Sequence, residues 1–231
     1  MNLLAFDSST EILRVGVRHG NAPLLEQNAP GGAQASAWLI PLVQSALAHF
    51  GLAVSDLDAI VFGRGPGSFT GLRTACAVAQ GLGFGAQVPV LGVDTLLAVA
   101  EDARDRTGAT RLVALLDARM DEVYVAGYEH DGGIWRAHGE IALMNPRAVE
   151  VPDGWAMAGN VFQVYGDRLP AAAPRIEALP TAGALLRLAP ALIASGMAQA
   201  ADRAMPVYIR DKVAQTTDER AAARVAATIR T

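Results

Sequence analysis

The sequence predicts an α/β protein of two related lobes, each with a mixed sheet flanked by helices. Three observations favour this class: a duplicated strand–turn–strand pattern, strand–helix–strand units between the copies, and enough apolar residues for sizeable cores. Of the 231 residues, 52% are hydrophobic and 18% are charged, which argues against a disordered chain. A single doubly wound sheet is the alternative architecture.

The duplication consists of two apolar strands that each end in an aspartate. LLAFDSST begins at Leu3, ends its strand at Asp7 and continues through a polar turn into a second strand. LVALLDARM begins at Leu112 and repeats the arrangement with Asp117. Apolar runs bounded by turn residues are typical of buried strands followed by hairpins. We therefore expect the two aspartates at equivalent positions in the two lobes.

Between the copies, helices and strands are expected to alternate, which favours parallel crossovers. The three helices are expected over about 34–50, 68–84 and 95–104, and the two strands over 57–63 and 88–93. After the second hairpin the sequence predicts a strand and two helices, at 134–143, 161–168 and 181–195. We accordingly expect an N-terminal lobe at 1–104 and a smaller C-terminal lobe at 105–231, with a tail at about 203–214 packing back on the N-terminal lobe.

The composition argues against several classes of protein. The net charge of −4 argues against a strong direct grip on nucleic acid, which needs clustered Lys and Arg. A single cysteine, Cys76, excludes a disulfide framework, and its mid-helix position favours packing over nucleophilic chemistry. The start of the chain does not resemble a signal peptide, and the charge-free run 74–93 contains Gln80, Gln87 and Pro89 and is a poor membrane span. We expect a cytoplasmic protein.

Charged residues are nearly absent from one long stretch. Between Gln27 and Val93 only four occur: Asp56, Asp58, Arg64 and Arg73. The first two helices could be sandwiched inside their own domain, but we expect instead that they face another subunit, because exposed apolar patches commonly mark interfaces. The expected interface residues are Trp38, Leu39, Leu42, Val43, Ala46, Leu47 and Phe50 on the first helix and Thr74, Ala75, Val78, Ala79 and Leu82 on the second.

This hypothesis makes a prediction about two small residues on those helices. We expect Ala46→Glu or Ala75→Glu to break association and to leave the fold intact.

A glycine-rich loop, GRGPGSFTGLR from Gly63 to Arg73, follows the strand at 57–63. Glycines before a helix can let backbone N–H groups face an anion, and Ser68 or Thr70 is placed to cap the helix. The segment is not a P-loop, because no Gly-Lys-Ser/Thr follows. A phosphate cradle and a tight structural turn are equally compatible with these residues.

The duplicated aspartates suggest a nucleotide site. Facing hairpins could hold phosphates and Mg²⁺ between the lobes, which would suit a small-molecule kinase or ATPase; the alternative is that both aspartates cap their own turns. The candidate residues are Asp7, Ser8, Ser9, Thr10 and Asp117. The four histidines form no i,i+4 pair, and no Ser–His–Asp set can be assigned. We therefore assign no catalytic residue and no metal ligand.

Four segments together resemble the TsaB family, the dimerisation subunits of the bacterial tRNA threonylcarbamoyl-adenosine modification complex. They are LLAFDSST, GRGPGSFTGLR, LLDARMDEVYVAGYE and PVYIRDKVA. The resemblance implies the two-lobed actin/Hsp70/sugar-kinase (ASKHA) fold. One departure is Ala35-Ser36, where the family often has a His-Ser or His-Thr pair.

The resemblance also implies partners. The chain would form a homodimer when alone, pair with a TsaD-type catalytic subunit and be joined by a TsaE-type ATPase, with ATP or ADP and Mg²⁺ at the complex interface and no strong tRNA binding of its own. TsaD carries a His-x-x-x-His metal motif where this chain has Thr95 and Val99, so a non-catalytic subunit is expected. A metallopeptidase is suggested only by the family's older glycoprotease label.

Overall fold

Each apolar strand that ends in an aspartate lies at the centre of its own five-stranded sheet. A computed structural model of the protein describes residues 1–210. The first sheet has the order β3-β2-β1-β4-β5, with β1–β3 antiparallel and β4 and β5 parallel to β1. Its strands are β1 (Asn2–Asp7), β2 (Ile12–His19), β3 (Leu25–Pro30), β4 (Ala59–Gly65) and β5 (Val90–Asp94).

The second sheet repeats this plan. Its order is β10-β9-β6-β7-β8, with β6–β8 forming an antiparallel meander and β9 and β10 running parallel to β6. Its strands are β6 (Arg111–Arg119), β7 (Glu122–Asp131), β8 (Ile134–Met144), β9 (Ala156–Gly159) and β10 (Arg175–Glu177). The expected two-lobed, duplicated α/β architecture, with mixed sheets flanked by helices, is confirmed.

Helices cover both faces of the first sheet. Apolar side chains of α1 and α2 pack on one face of the sheet, and those of α5 and α3 pack on the other. Because both faces are covered, the central strands are buried along their length. The helices are α1 (Ala35–His49), α2 (Phe69–Ala86), α3 (Thr95–Thr107), α4 (Phe162–Tyr165) and α5 (Ala182–Ala194).

The second sheet has less helical cover. Helix α3 packs on one face, and the other face is covered by α4 and by loop residues such as Val149 and Leu169. The region 161–168, expected as one helix, contains only the single turn of α4 and a 3-10 turn, Gly166–Arg168. The extended conformation of Leu169 before Pro170 ends this helical stretch.

The C-terminal part of the described chain returns to the first lobe. Helix α5 packs on β1, β2 and β4 of the first sheet. It was expected in the lobe at 105–231, but it lies against the first lobe. Beyond α5, Ala204 lies beneath α2, where its carbonyl oxygen accepts hydrogen bonds from Cys76 Sγ and Gln80 Nε2. Residues 211–214 of the expected tail lie outside the described residues. No helix within residues 1–210 is both long and apolar enough to cross a membrane.

Candidate functional site

The turn after β1 is buried under the start of α2. Asp7 Oδ1 accepts hydrogen bonds from the backbone N–H and the hydroxyl of Ser9, at 2.9 and 2.6 Å. Ser8 Oγ donates to the carbonyl of Gly71 at 2.8 Å. An aspartate that accepts from the backbone two residues later closes an Asx turn. The first turn is therefore held by its own side chains and by the helix above it.

Burial changes the chemistry of the Asp7 carboxyl group. Its side chain is fully buried, and this burial raises the pKa of Asp7 to about 6, although the two hydrogen bonds from Ser9 and the charge of Arg14 act in the opposite direction. Within residues 1–210, Asp7 Oδ2 has no hydrogen-bond partner. It lies against Gly63, where a Cβ would overlap it. The carboxyl group thus faces backbone rather than an open site.

The turn after β6 is more exposed. Asp117 Oδ1 accepts from the Arg119 N–H at 2.8 Å and from the Tyr165 hydroxyl at 2.8 Å. Burial and the neighbouring Asp117 carboxylate raise the pKa of Tyr165 to about 12, so the phenol remains a donor. The Asp117 N–H donates to Asn160 Oδ1. Asp117 therefore caps its own turn, which is the alternative to a role in nucleotide binding.

A cavity of about 290 Å³ lies between the two turns. Of the candidate nucleotide residues, Ser9, Thr10 and Asp117 line this interlobe cleft, whereas Asp7 and Ser8 lie beneath its floor. A magnesium ion needs accessible oxygen ligands. The buried Asp7 carboxyl group does not offer them, so the Asp7–Asp117 pair does not fit a Mg-nucleotide held between the lobes.

The glycine-rich loop packs against the first turn. The Ser68 N–H donates to the Ser9 carbonyl at 2.8 Å, and Ser68 Oγ caps α2 by accepting from the Gly71 N–H. A Cβ at Gly71 would overlap the Ser8 carbonyl oxygen, and one at Gly67 would crowd Ser9. Contacts within the chain therefore account for the requirement for glycine at both positions.

The two positions that the resemblance places opposite the TsaD histidines lie inside the chain. Thr95 is fully buried, and its Oγ1 accepts from the Gly65 N–H at 3.1 Å. Val99 is also fully buried in the core between α3 and the second sheet. Within residues 1–210, no group of three or more His, Cys, Asp or Glu side chains could hold a metal ion.

The structure corrects the expected interface on α1 and α2. Six of the twelve residues belong to the chain's own core and are at most 4% exposed: Leu39, Val43, Ala46, Leu47, Ala75 and Ala79. The expected behaviour of Ala46→Glu and Ala75→Glu is therefore wrong, because a carboxylate at either position would disrupt the fold. Trp38 is exposed, and the remaining five are partly buried: Leu42, Phe50, Thr74, Val78 and Leu82.

A different set of apolar and small residues is exposed on these two helices. Trp38 and Ile40 are each 47% exposed, and Phe84 is 72% exposed. Pro41, Ala77 and Gly81 on the same helices are exposed as well. We call these six residues together the outer helix surface: Trp38, Ile40, Pro41, Ala77, Gly81 and Phe84. Arg73 is the one Lys, Arg, Asp or Glu on the two helices. Its guanidinium lies over the Phe69 ring and donates to Tyr208, so it is directed toward the tail.

Two charged groups that sequence reasoning missed join separate parts of the molecule. Glu101, 2% exposed, accepts from Arg104, Trp135 and Arg187, which lie on α3, β8 and α5. Arg210 donates to the Ala118 carbonyl and pairs with Glu122. A lone arginine at the end of the apolar segment PVYIR was the available signal for the second group.

Comparisons with known proteins give the family. A family model described as TsaD, tRNA N6-adenosine threonylcarbamoyltransferase, matches residues 32–163. A curated tRNA threonylcarbamoyladenosine biosynthesis protein TsaB from Escherichia coli is 35% identical, covering 93% of this chain and 96% of the relative. TsaB from Haemophilus influenzae is 32% identical, covering 92% and 95%.

A solved structure agrees with these relatives. YeaZ from Pseudomonas aeruginosa superposes with a TM-score of 0.83 at 40% identity, covering 90% of this chain and 99% of YeaZ. The similarity therefore includes both lobes rather than the first alone. The chain belongs to the TsaB family, within the broader group that the TsaD model describes.

Proposed function

We propose that this chain is a non-catalytic subunit that pairs with a TsaD-type catalytic subunit in threonylcarbamoyladenosine modification of tRNA. The observation that carries the proposal is the outer helix surface, on which Trp38, Ile40 and Phe84 are exposed without a balancing charge. Aromatic residues with few charges are typical of the centre of a protein–protein interface. The relatives' names supply the pathway in which the partner acts.

The buried positions Thr95 and Val99 support a non-catalytic role. A metal-dependent transfer site needs ligands that reach the ion from an accessible surface. The Thr95 hydroxyl is occupied by the Gly65 N–H, and Val99 is packed in the core. The partner would then carry out catalysis, and this chain would bind the partner through α1 and α2.

The kinase or ATPase alternative is not favoured. It requires Asp7 and Asp117 to share one ion, but Asp7 faces Gly63 beneath the cleft and Asp117 binds the hydroxyl of Tyr165. We propose that ATP or ADP with Mg²⁺, where required, binds at the interface of the assembled complex, together with a TsaE-type ATPase. Because these partners and tRNA act in the cytoplasm, we place the chain there.

The partner surface can be tested with substitutions that leave the chain's own core alone. Ala77→Glu and Phe84→Glu put a carboxylate on exposed positions of α2. We expect each to weaken binding to the TsaD-type subunit of the same organism by about 100-fold or more, because the charge would be buried without a partner. Ala171→Glu, on an exposed loop of the second lobe, is the matched control and should bind normally.

Binding would be measured by isothermal titration, with circular dichroism to establish that each variant is folded. Self-association would be followed in parallel by sedimentation velocity, since we propose that the same surface forms a homodimer when the chain is alone. If folded Ala77→Glu and Phe84→Glu both bind the partner as tightly as the control, the proposed surface is wrong.

A further inference from the structure

The two lobes meet on opposite sides of the molecule in different ways. On one side, α3 packs on the second sheet through Val99 and Ala103 and on the first through Ala98. Beside these apolar contacts, buried Glu101 of α3 accepts hydrogen bonds from Trp135 of β8 and Arg187 of α5. On the other side, at the interlobe cleft, the lobes are joined by an exposed ion pair, Arg119 with Glu11, and by the chain segment that follows Ala204.

That segment crosses from the first lobe to the second. The Val207 N–H donates to the Arg64 carbonyl at 2.7 Å, which fastens it beside β4. The Tyr208 ring lies 5.3 Å from that of Phe69, and its hydroxyl accepts from Arg73. Ile209 then packs on the core of the second lobe. We call Val207–Arg210 the strap.

Arg210 fixes the far end of the strap. Its side chain is 14% exposed. Its Nη2 donates to the Ala118 carbonyl at 2.9 Å and pairs with Glu122 Oε2 at 2.7 Å. Its Nη1 contacts Met120 Sδ at 3.0 Å. One guanidinium therefore binds both strands of the β6–β7 hairpin and the residue at its tip, a geometry that only the planar fork of arginine provides.

The hairpin that Arg210 holds has an unusual backbone. Arg119, Met120 and Asp121 have φ angles of +61°, +55° and +61°, and none of them is glycine. Three consecutive L-residues in the left-handed region are unfavourable, so such a turn persists only where surrounding contacts determine it. The contacts here include the Asx turn of Asp117, the bonds from Arg210, and the ion pairs of Arg119 with Glu11 and of Asp121 with Arg168.

We propose that Val207–Arg210 is a built-in strap that holds the interlobe cleft closed, with Arg210 as its latch on the strained β6–β7 turn. When the latch is released, the turn relaxes and the lobes separate about the α3 contact. The inference concerns contacts within one chain, so it goes beyond the proposed function and does not depend on it.

The test measures the distance across the cleft in the full chain. Spin labels would be attached at Thr70→Cys on α2 and Gln163→Cys on α4, both exposed, with buried Cys76 replaced by alanine. Double electron–electron resonance then reports the label separation. We expect Arg210→Met, which keeps most of the aliphatic stem, to shift the distribution to longer distances and to broaden it.

A second readout follows the turn itself. Hydrogen exchange of the Arg119 amide, which is bonded to Asp117, should accelerate in Arg210→Met because the turn opens more often. Arg203→Met, at an exposed arginine outside the strap, is the matched control. It should leave the distance distribution and the exchange rate unchanged.

An Arg210→Met distance distribution that superposes on that of the parent, or that changes no more than in Arg203→Met, would overturn the strap. Should Arg210→Met fail to fold by circular dichroism, Glu122→Gln decides instead, because it leaves the guanidinium in place but removes its charged partner. We expect a smaller shift to longer distances in that variant. Unchanged distances there would overturn the proposal as well.

Discussion

The two hairpin turns that face each other across the cleft share an Asx turn but differ in burial and in the contacts that hold them. The first turn, around Asp7, is buried under α2 and held by hydrogen bonds to Ser9 and to the helix. The second, around Asp117, is held by Arg119, by Tyr165 at the end of the short helix α4 and by Arg210. What covers a turn, rather than its place in the duplication, determines the chemistry of its aspartate.

The largest change in stability is expected at Gly71, where α2 contacts the first turn. In Gly71→Ala, a methyl group would overlap the Ser8 carbonyl, a backbone atom that cannot rotate away. We expect the free energy of unfolding to fall by about 3 kcal/mol. Chemical denaturation would measure it. Gly81→Ala on the same helix is the control; its Cβ meets nothing, and the variant should gain about 1 kcal/mol from helix propensity.

The next prediction concerns pH. The pKa of Asp7 is about 6 in the folded chain and near 3.8 when unfolded, so the folded state binds more protons between these values. Stability therefore falls as pH rises from 4 to 7, by about 2 kcal/mol from this group. Asp7→Asn removes the titration.

The check is the free energy of unfolding of Asp7→Asn minus that of the parent, measured at pH 4 and at pH 7. We expect this difference to move in favour of the variant by about 2 kcal/mol between the two pH values. A difference that stays constant would mean that Asp7 is not the buried acid described here.

A smaller effect is expected in the second turn, where the Asp117 side chain is 11% exposed and its Oδ1 accepts two hydrogen bonds. Tyr165→Phe removes the donor to Asp117 Oδ1 and retains the ring. We expect a loss of about 1 kcal/mol, because Asp117 keeps the Arg119 N–H as a partner and remains near solvent. Thermal unfolding would measure it; a loss comparable with that of Gly71→Ala would contradict the difference between the turns.

The smallest expected effect concerns the left-handed backbone of the β6–β7 turn, which is compared here with the regular backbone of α1. Met120→Gly places glycine where φ is +55°, which should stabilise the chain by about 0.5 kcal/mol, since the relief of strain slightly exceeds the added entropy of the unfolded chain. Ala48→Gly, at an exposed position within α1, should instead destabilise it by about 1 kcal/mol. Equal losses in both variants would show that the turn is not strained.

Much of the fold could be predicted because strand and helix periods are local. The strands ending at Asp7 and Asp117 and the alternation between them follow from apolar runs and turn residues. The orientation of α1 and α2 could not be predicted, because helices without charges carry no polar stripe to mark the outer face. Ala75 is buried and Ala77 exposed, although the residues are identical.

The cleft was also only partly predictable. Ser9, Thr10 and Asp117 do line it, because the two hairpins face each other as expected. The burial of Asp7 depends on a helix that arrives from more than sixty positions along the chain at Gly71, and no local pattern records that contact. The same holds for Arg210, whose hydrogen bonds to the β6–β7 turn are made over a long sequence separation.

The central claim is that this chain supports modification by presenting a surface and not by catalysing transfer. The most direct measurement is threonylcarbamoyl transfer to tRNA by the TsaD-type and TsaE-type proteins of the same organism, with the chain omitted, added, or replaced by Ala77→Glu. We predict transfer only with the unaltered chain, and none by the chain alone. Transfer by the chain alone, or full transfer with a folded Ala77→Glu variant, would contradict the account.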